Sequence, residues 1–170
     1  MNDTTFPTQI QAPFVSTGIE VLPEWIDHNG HMNIAYYVVA FDQAVDQVFH
    51  QFGFVPEVMR KANASSFTSE LHITYQRELM QGDPLRVTTQ LLGFDPKRLH
   101  FIQCMYHATE GYLAATMEWL LLYVDMTVRR VAVMPESLQR HLARVLEAHR
   151  ALPIPPEVGR KISLDAKRPR

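Results

Sequence analysis

A chain of 170 residues, 46% hydrophobic and 20% charged, holds enough apolar material for one core and is short for two ordinary domains. Its formal net charge of -2 excludes a global positive field that would attract nucleic acid, and no apolar run approaches the length of a membrane-spanning helix. With a single cysteine, Cys104, no intramolecular disulfide can form.

The basic pairs Lys97-Arg98 and Arg129-Arg130 and the end Lys167-Arg168-Pro169-Arg170 read as solvated surface. Cys104 falls in an apolar run, where a buried structural thiol is the default. The opening MNDTTFPTQIQAPFV lacks a basic region ahead of an apolar one and does not read as a signal peptide. The expectation is a cytoplasmic protein of one domain over residues 1–170, with no membrane and no nucleic-acid partner.

In chain order, residues 1–16 are polar and aperiodic and read as a flexible leader. Gly18 to Leu22 can form a short strand ended by Pro23. From Asn33 to Phe52 the residues Ile34, Tyr37, Val38, Phe41, Val45, Val48, Phe49 and Phe52 recur at the spacing of one helical face, and Gly53 can stop the helix. Strand-like runs follow at Phe67–Glu78, Leu85–Phe94, Leu99–His107 and Tyr112–Val124. Gln81-Gly82-Asp83-Pro84, Asp95-Pro96-Lys97 and Glu110-Gly111 separate them, and such short turns predict antiparallel hairpins between successive strands. A short strand at Val128–Met134 precedes a last helix over about 135–150, with Leu138, Leu142, Val145 and Leu146 as its apolar stripe. The tail from Leu152 through Pro156 cannot continue that helix and reads as flexible. One strand, a long helix and a series of strands make an α+β domain with its core over about 18–134. A single sheet leaves an edge, and joining two sheets across a dimer axis is a common way to cover it.

The segment Trp25-Ile26-Asp27-His28-Asn29-Gly30-His31-Met32-Asn33 packs one carboxylate, two imidazoles and two amides into the loop before the long helix. Unpartnered N–H groups and the dipole at a helix start stabilise a developing oxyanion. A carboxylate beside them can act as nucleophile or as general base on water. Taken singly, Asp27 and Asn29 are ordinary turn residues and Asn33 an ordinary helix cap; together they are the minimum equipment for hydrolysing an activated acyl group. A metal site would need Asp27, His28 and His31 to be joined by His72, His100 or His107, and their spacing matches no zinc signature. No G-x-S-x-G elbow surrounds Ser65-Ser66, and no glycine-rich phosphate loop is present. No metal and no cofactor is expected.

Asp27-x-x-Gly30-His31-x-Asn33, continued by Tyr36, resembles the signature of hotdog-fold thioesterases. Asp27, Asn29 and His31 also fit the D-x-N-x-H pattern of plant acyl-carrier-protein thioesterases, and the 4-hydroxybenzoyl-CoA thioesterase branch shares the aspartate and glycine. The order of long helix, Tyr75-Gln76-Arg77-Glu78 and Gly82-Asp83-Pro84-Leu85 extends the likeness over about residues 18–134. The resemblance implies a curved antiparallel sheet wrapped around the long helix, with two protomers joining their sheets into a homodimer, or a pair of dimers, around interfacial active sites. Asp27 would be the catalytic carboxylate, with Asn29 and His31 positioning it, the water or the thioester. The backbone near Met32 and Asn33 would hold the carbonyl oxygen, and Glu78 stands where the plant enzymes carry a further acid. Many relatives have a second asparagine after Asn33, where this chain has Ile34.

The same loop together with Glu118-Trp119 resembles the branch associated with carnitine catabolism, which acts on betainyl-CoA. Its trimethylammonium group favours an aromatic cage, for which Trp25, Tyr36, Tyr75, Trp119 and Tyr123 are available, with Glu70 or Glu118 as an acidic partner. Two other readings stand beside it. One is a thioesterase for fatty, aromatic or carrier-protein-bound acyl groups, and the other a non-catalytic acyl-CoA-binding module of the same fold.

Overall fold

The computed structural model describes residues 6–164. The elements are β1 (Phe14–Glu20), a 3-10 turn (Pro23–Trp25), α1 (Ile34–Phe52), α2 (Pro56–Lys61), β2 (Ala64–Tyr75), β3 (Pro84–Phe94), β4 (Arg98–His107), β5 (Leu113–Asp125), β6 (Arg130–Val131) and α3 (Glu136–His149). The strands form one antiparallel sheet in the order β1-β3-β4-β5-β2, with β6 paired to the end of β5. This is the α+β hotdog arrangement, a sheet curled around one long helix.

Side chains alternate across the sheet because successive residues of a strand point to opposite faces. Leu85, Val87, Leu91, Leu99, Phe101, Met105, Met117, Trp119 and Leu121 are buried in the core on the α1 side. From the helix come Tyr37, Ala40, Phe41, Ala44, Val45, Val48 and Phe52. The predicted helical face is therefore the buried one except at its first member, Ile34, which is 66% exposed. Asn33 caps the helix by accepting the Ala35 amide at 3.0 Å, and Gly53 ends it in the left-handed region at φ 85°.

The hairpins β3–β4 and β4–β5 form as their turns predict, but β2 and β3 are not partners. β2 pairs with β5 through Leu71 and Trp119, Ile73 and Met117, and is left as a sheet edge. The segment between the two strands crosses the end of the sheet instead of folding back. Gln76 and Arg77 both donate to the Ala114 carbonyl, Leu79 is fully buried, and Gly82 and Asp83 exchange backbone bonds with Val21. Burying Leu79 outweighs the local turn signal of Gly82-Asp83-Pro84.

Residues 6–13 and 152–157, both expected to be flexible, pack against the fold. β1 begins at Phe14, not Gly18; Gly18, at φ +76°, lies within a register shift between Ser16 and Ile19 that bends the strand. Upstream of it, Phe6 is buried and stacks on His141 at 4.6 Å. Beyond α3, residues 152–157 fold back over the sheet face turned away from α1, where they help cover Ile102 and Cys104. The basic end at 167–170 and the first five residues lie outside the described residues. Among the described residues no helix is long and apolar enough to cross a membrane.

Candidate active site

The loop before α1 is a tight hairpin. Ile26 and Met32 form an isolated antiparallel bridge, the Asp27 amide donates to His31 O at 3.1 Å, and Gly30 returns to Asp27 O at 3.0 Å with φ +83°. A side chain at position 30 would strain that turn, which accounts for the glycine. The Asp27 carboxylate is fixed by its own turn, Oδ1 accepting the Asn29 amide at 2.8 Å. Its side chain keeps 16% of its exposure, and His31 Nδ1 stands 4.0 Å from Oδ1, beyond hydrogen-bond reach. Asn29 and His28 are exposed at the loop tip.

Two backbone bonds seat this hairpin on the fold. Met32 donates to Leu79 O at 2.8 Å and Asn33 to Trp25 O at 2.9 Å. These are the two amides expected to receive a carbonyl oxygen, and both are already spent, because Met32 is buried and its amide has to be bonded inside the protein. Within the first turn, Ala35 donates to the Asn33 side chain and Tyr36 to Asn33 O. In that first turn the amide of Ile34 is left without an acceptor, at the helix start where the dipole is positive. Sequence reasoning missed it; the signal was Asn33 itself, since a cap that satisfies Ala35 and Tyr36 leaves the residue between cap and Ala35 open.

Trp25 is buried and stacks on Tyr36 at 5.6 Å and 12°, bracing the loop against the helix. Tyr75 of edge strand β2 donates its hydroxyl to Ile34 O at 3.1 Å and meets Tyr37 edge-on at 5.1 Å. Tyr37 is buried, and its hydroxyl pKa is pushed up to about 12 mainly by loss of water, which leaves it a neutral phenol. Glu78 is exposed in the crossing segment, its carbonyl accepting the Tyr112 hydroxyl at 3.1 Å.

The structure does not bring the remaining cage candidates to this loop. Trp119 is a core residue stacked on Phe101 at 5.4 Å, and Tyr123 is buried against Phe54. Glu118 is engaged by His100 Nε2 at 2.6 Å and by the Gly159 amide at 2.8 Å. With Glu70 it borders a pocket of about 780 Å³ that Asp27 does not line. His107 is buried and paired with Asp83 at 3.4 Å. Among the described residues no cluster of three or more His, Cys, Asp or Glu side chains is placed to hold a metal ion. In the single chain, then, the Trp25–Tyr36 stack braces the Asp27 hairpin against the start of α1, which Tyr75 ties to edge strand β2.

A single antiparallel sheet curled around one long helix is the fold of the hotdog thioesterase class. The chain belongs to the thioesterase-like superfamily, whose family model matches residues 21–142. It is 38% identical to the betainyl-CoA thioesterase of Pseudomonas aeruginosa over 85% of this chain and 91% of that protein. It is 33% identical to the L-carnitine dehydrogenase/betainyl-CoA thioesterase of a Rhizobium species, over 83% of this chain but only 28% of that longer protein. A Staphylococcus aureus protein solved in complex with CoA superposes with a TM-score of 0.83 at 30% identity, covering 93% of this chain and 99% of that one. The protein is accordingly a thioesterase that hydrolyses acyl-CoA thioesters.

Proposed function

We propose that Asp27 carries the hydrolysis and that the substrate is betainyl-CoA. The observation that supports the first part is a carboxylate held by the Asn29 amide in the hairpin that leads into α1, whose first amide, that of Ile34, is left open by the Asn33 cap. The thioester carbonyl oxygen would take the Ile34 N–H as negative charge develops on it. Asp27 would either add to the acyl carbon or remove a proton from the water that adds. In both cases water oxygen ends in the free acid, and the C–S bond breaks to release CoA as its thiol. Asn29 and His31 orient the incoming groups. The substrate reading rests on the likeness to betainyl-CoA thioesterases, with the half-buried Tyr36, backed by buried Trp25, as the aromatic surface for a trimethylammonium group.

The working unit in this reading is a homodimer joined along β2. That edge exposes Phe67, Leu71 and Tyr75, and Tyr75 is bonded to the start of α1, so a second copy seated there would wall in the Asp27 loop. The experiment is a hydrolysis panel of betainyl-, short-chain, long-chain and aromatic acyl-CoA esters on the native chain and on Asp27→Asn. Betainyl-CoA should be preferred, and Asp27→Asn, which retains an oxygen for the Asn29 amide, should lower kcat at least about a hundredfold with the fold intact. Turnover confined to long acyl chains would reject the substrate, and unchanged turnover in Asp27→Asn would reject the residue.

A further inference from the structure

The loop that carries Asp27 is gripped on both of its legs by one short turn, distant from it in the chain. Met32, on the exit leg, donates to Leu79 O at 2.8 Å. Val21, where the chain sets out towards the loop, donates to Asp83 O at 3.0 Å and accepts the Gly82 amide at 2.8 Å. The bridge from Ile26 to Met32 and the bond from Asn33 to Trp25 close the loop on itself, whereas these three bonds tie it to residues 79–83.

The shape of that turn is set by one carboxylate. Asp83 Oδ2 accepts the Met80 amide at 2.8 Å, and the Asp83 amide returns to Met80 O at 3.1 Å. A turn of this kind needs a single side-chain oxygen. The second, Oδ1, faces His107 Nε2 at 3.4 Å. His107 ends β4 and is 6% exposed. Its Nδ1 accepts the Thr109 and Glu110 amides at 3.3 and 3.1 Å, which leaves the ring hydrogen on Nε2, towards Asp83. A buried N–H turned away from any acceptor is costly, and Asp83 Oδ1 is the oxygen this one faces. Beside the pair, the Ala108 amide donates to Pro84 O at 2.7 Å, so the turn is fastened to the end of β4 by side chain and backbone together.

We propose that Asp83 and His107 are positioning residues for the hydrolysis: through the backbone of the 79–83 turn they hold the Asp27 hairpin in register with the start of α1. The proposal rests on Asp27 as the catalytic carboxylate. Misplacing a reacting group by about 1 Å can cost about a hundredfold in rate. A loss confined to the transition state falls on kcat and spares KM.

The test is the kinetics of Asp83→Ala, His107→Phe and the double variant in the full-length protein, with the acyl-CoA ester that the native chain turns over fastest. Acrylamide quenching of tryptophan fluorescence is read alongside, at a temperature where circular dichroism shows each variant folded. Both tryptophans, Trp25 and Trp119, are buried, and Trp25 alone belongs to the loop. In Asp83→Ala kcat should fall at least about tenfold with KM within about twofold of native, and quenching should rise as Trp25 loosens. His107→Phe, which keeps a ring and loses both nitrogens, should move both readouts the same way. The double variant should be no worse than Asp83→Ala, because the two side chains act as one unit. Asp83→Asn, which retains an oxygen for the Met80 amide, should recover part of the rate and keeps the test in force if Asp83→Ala does not fold.

A pair that only stabilised the fold would lower the melting temperature and leave kcat and quenching of the folded variants at native values, and that result overturns the proposal. So does a fall in kcat with unaltered quenching, or losses that add in the double variant. Asp27→Asn measured in parallel keeps the two readings apart: unchanged turnover there rejects the catalytic carboxylate, whereas native quenching in Asp83→Ala rejects the positioning pair.

Discussion

At the residue scale, the buried histidine His149 shows how a single side chain can set an acid limit. Its Nδ1 accepts the Leu91 amide at 2.9 Å, and Nε2 therefore carries the hydrogen given to Gln11 O at 2.8 Å. This neutral tautomer ties together β3, the end of α3 and the segment before β1. Burial lowers the pKa of His149 below its ordinary 6.5, and His141, which donates to Gln51 O, is lowered for the same reason. In the folded state the proton is therefore disfavoured, whereas the unfolded chain takes it up near 6.5. The stability these residues contribute is complete above that pH and declines as the pH falls from 6.5 towards the lowered folded value. Chemical denaturation across that range should show the loss, with a shallower slope in His149→Leu. That variant should also cost about 2 kcal/mol at neutral pH, because the buried Leu91 amide loses its acceptor.

At the scale of elements, the junction after α1 is the least tolerant point. Gly53 needs its left-handed backbone, and a Cβ there would stand 2.8 Å from Leu138 Cδ1 and 2.9 Å from Phe6 Cε1. Both neighbours are buried, so one of them must shift within the core to admit the methyl group. Gly53→Ala should destabilise by about 1–3 kcal/mol and lower Tm by about 2–4 °C per kcal/mol, read by calorimetry. The crossing segment between β2 and β3 has a functional consequence. Leu79 is buried and its carbonyl holds the Met32 amide, so this segment seats the loop proposed to carry Asp27 as the catalytic carboxylate. Leu79→Ala should therefore lower kcat as well as stability, the latter by about 2–5 kcal/mol, and kinetics at a temperature where the variant remains folded will separate the two.

At the scale of the whole molecule, activity on the proposed dimer depends on concentration. Leu71 is 38% exposed on the free edge of β2. Leu71→Arg should yield a monomer by sedimentation and lose most of its kcat/KM, while native specific activity should fall on dilution through the dimer dissociation constant. A native chain that sediments as a monomer and turns over at full rate would remove the dimer from the mechanism.

The sequence alone determined the features whose physics is local. The face of α1, the cap at Asn33, the stop at Gly53 and the β3–β4 and β4–β5 hairpins follow from spacing and turn chemistry within a few residues. So does the concentration of functional groups between Trp25 and Asn33. Tertiary structure decided what depends on partners distant in the chain. It sent β2 to β5 instead of β3, because Leu79 had a core to enter. It placed Trp119 and Tyr123 in that core, and it engaged Glu118 with His100 and Gly159. It also spent the Met32 and Asn33 amides on Leu79 and Trp25, leaving the Ile34 amide as the open donor. A backbone amide carries no side-chain signature, so its availability is legible only once every competing acceptor has been placed.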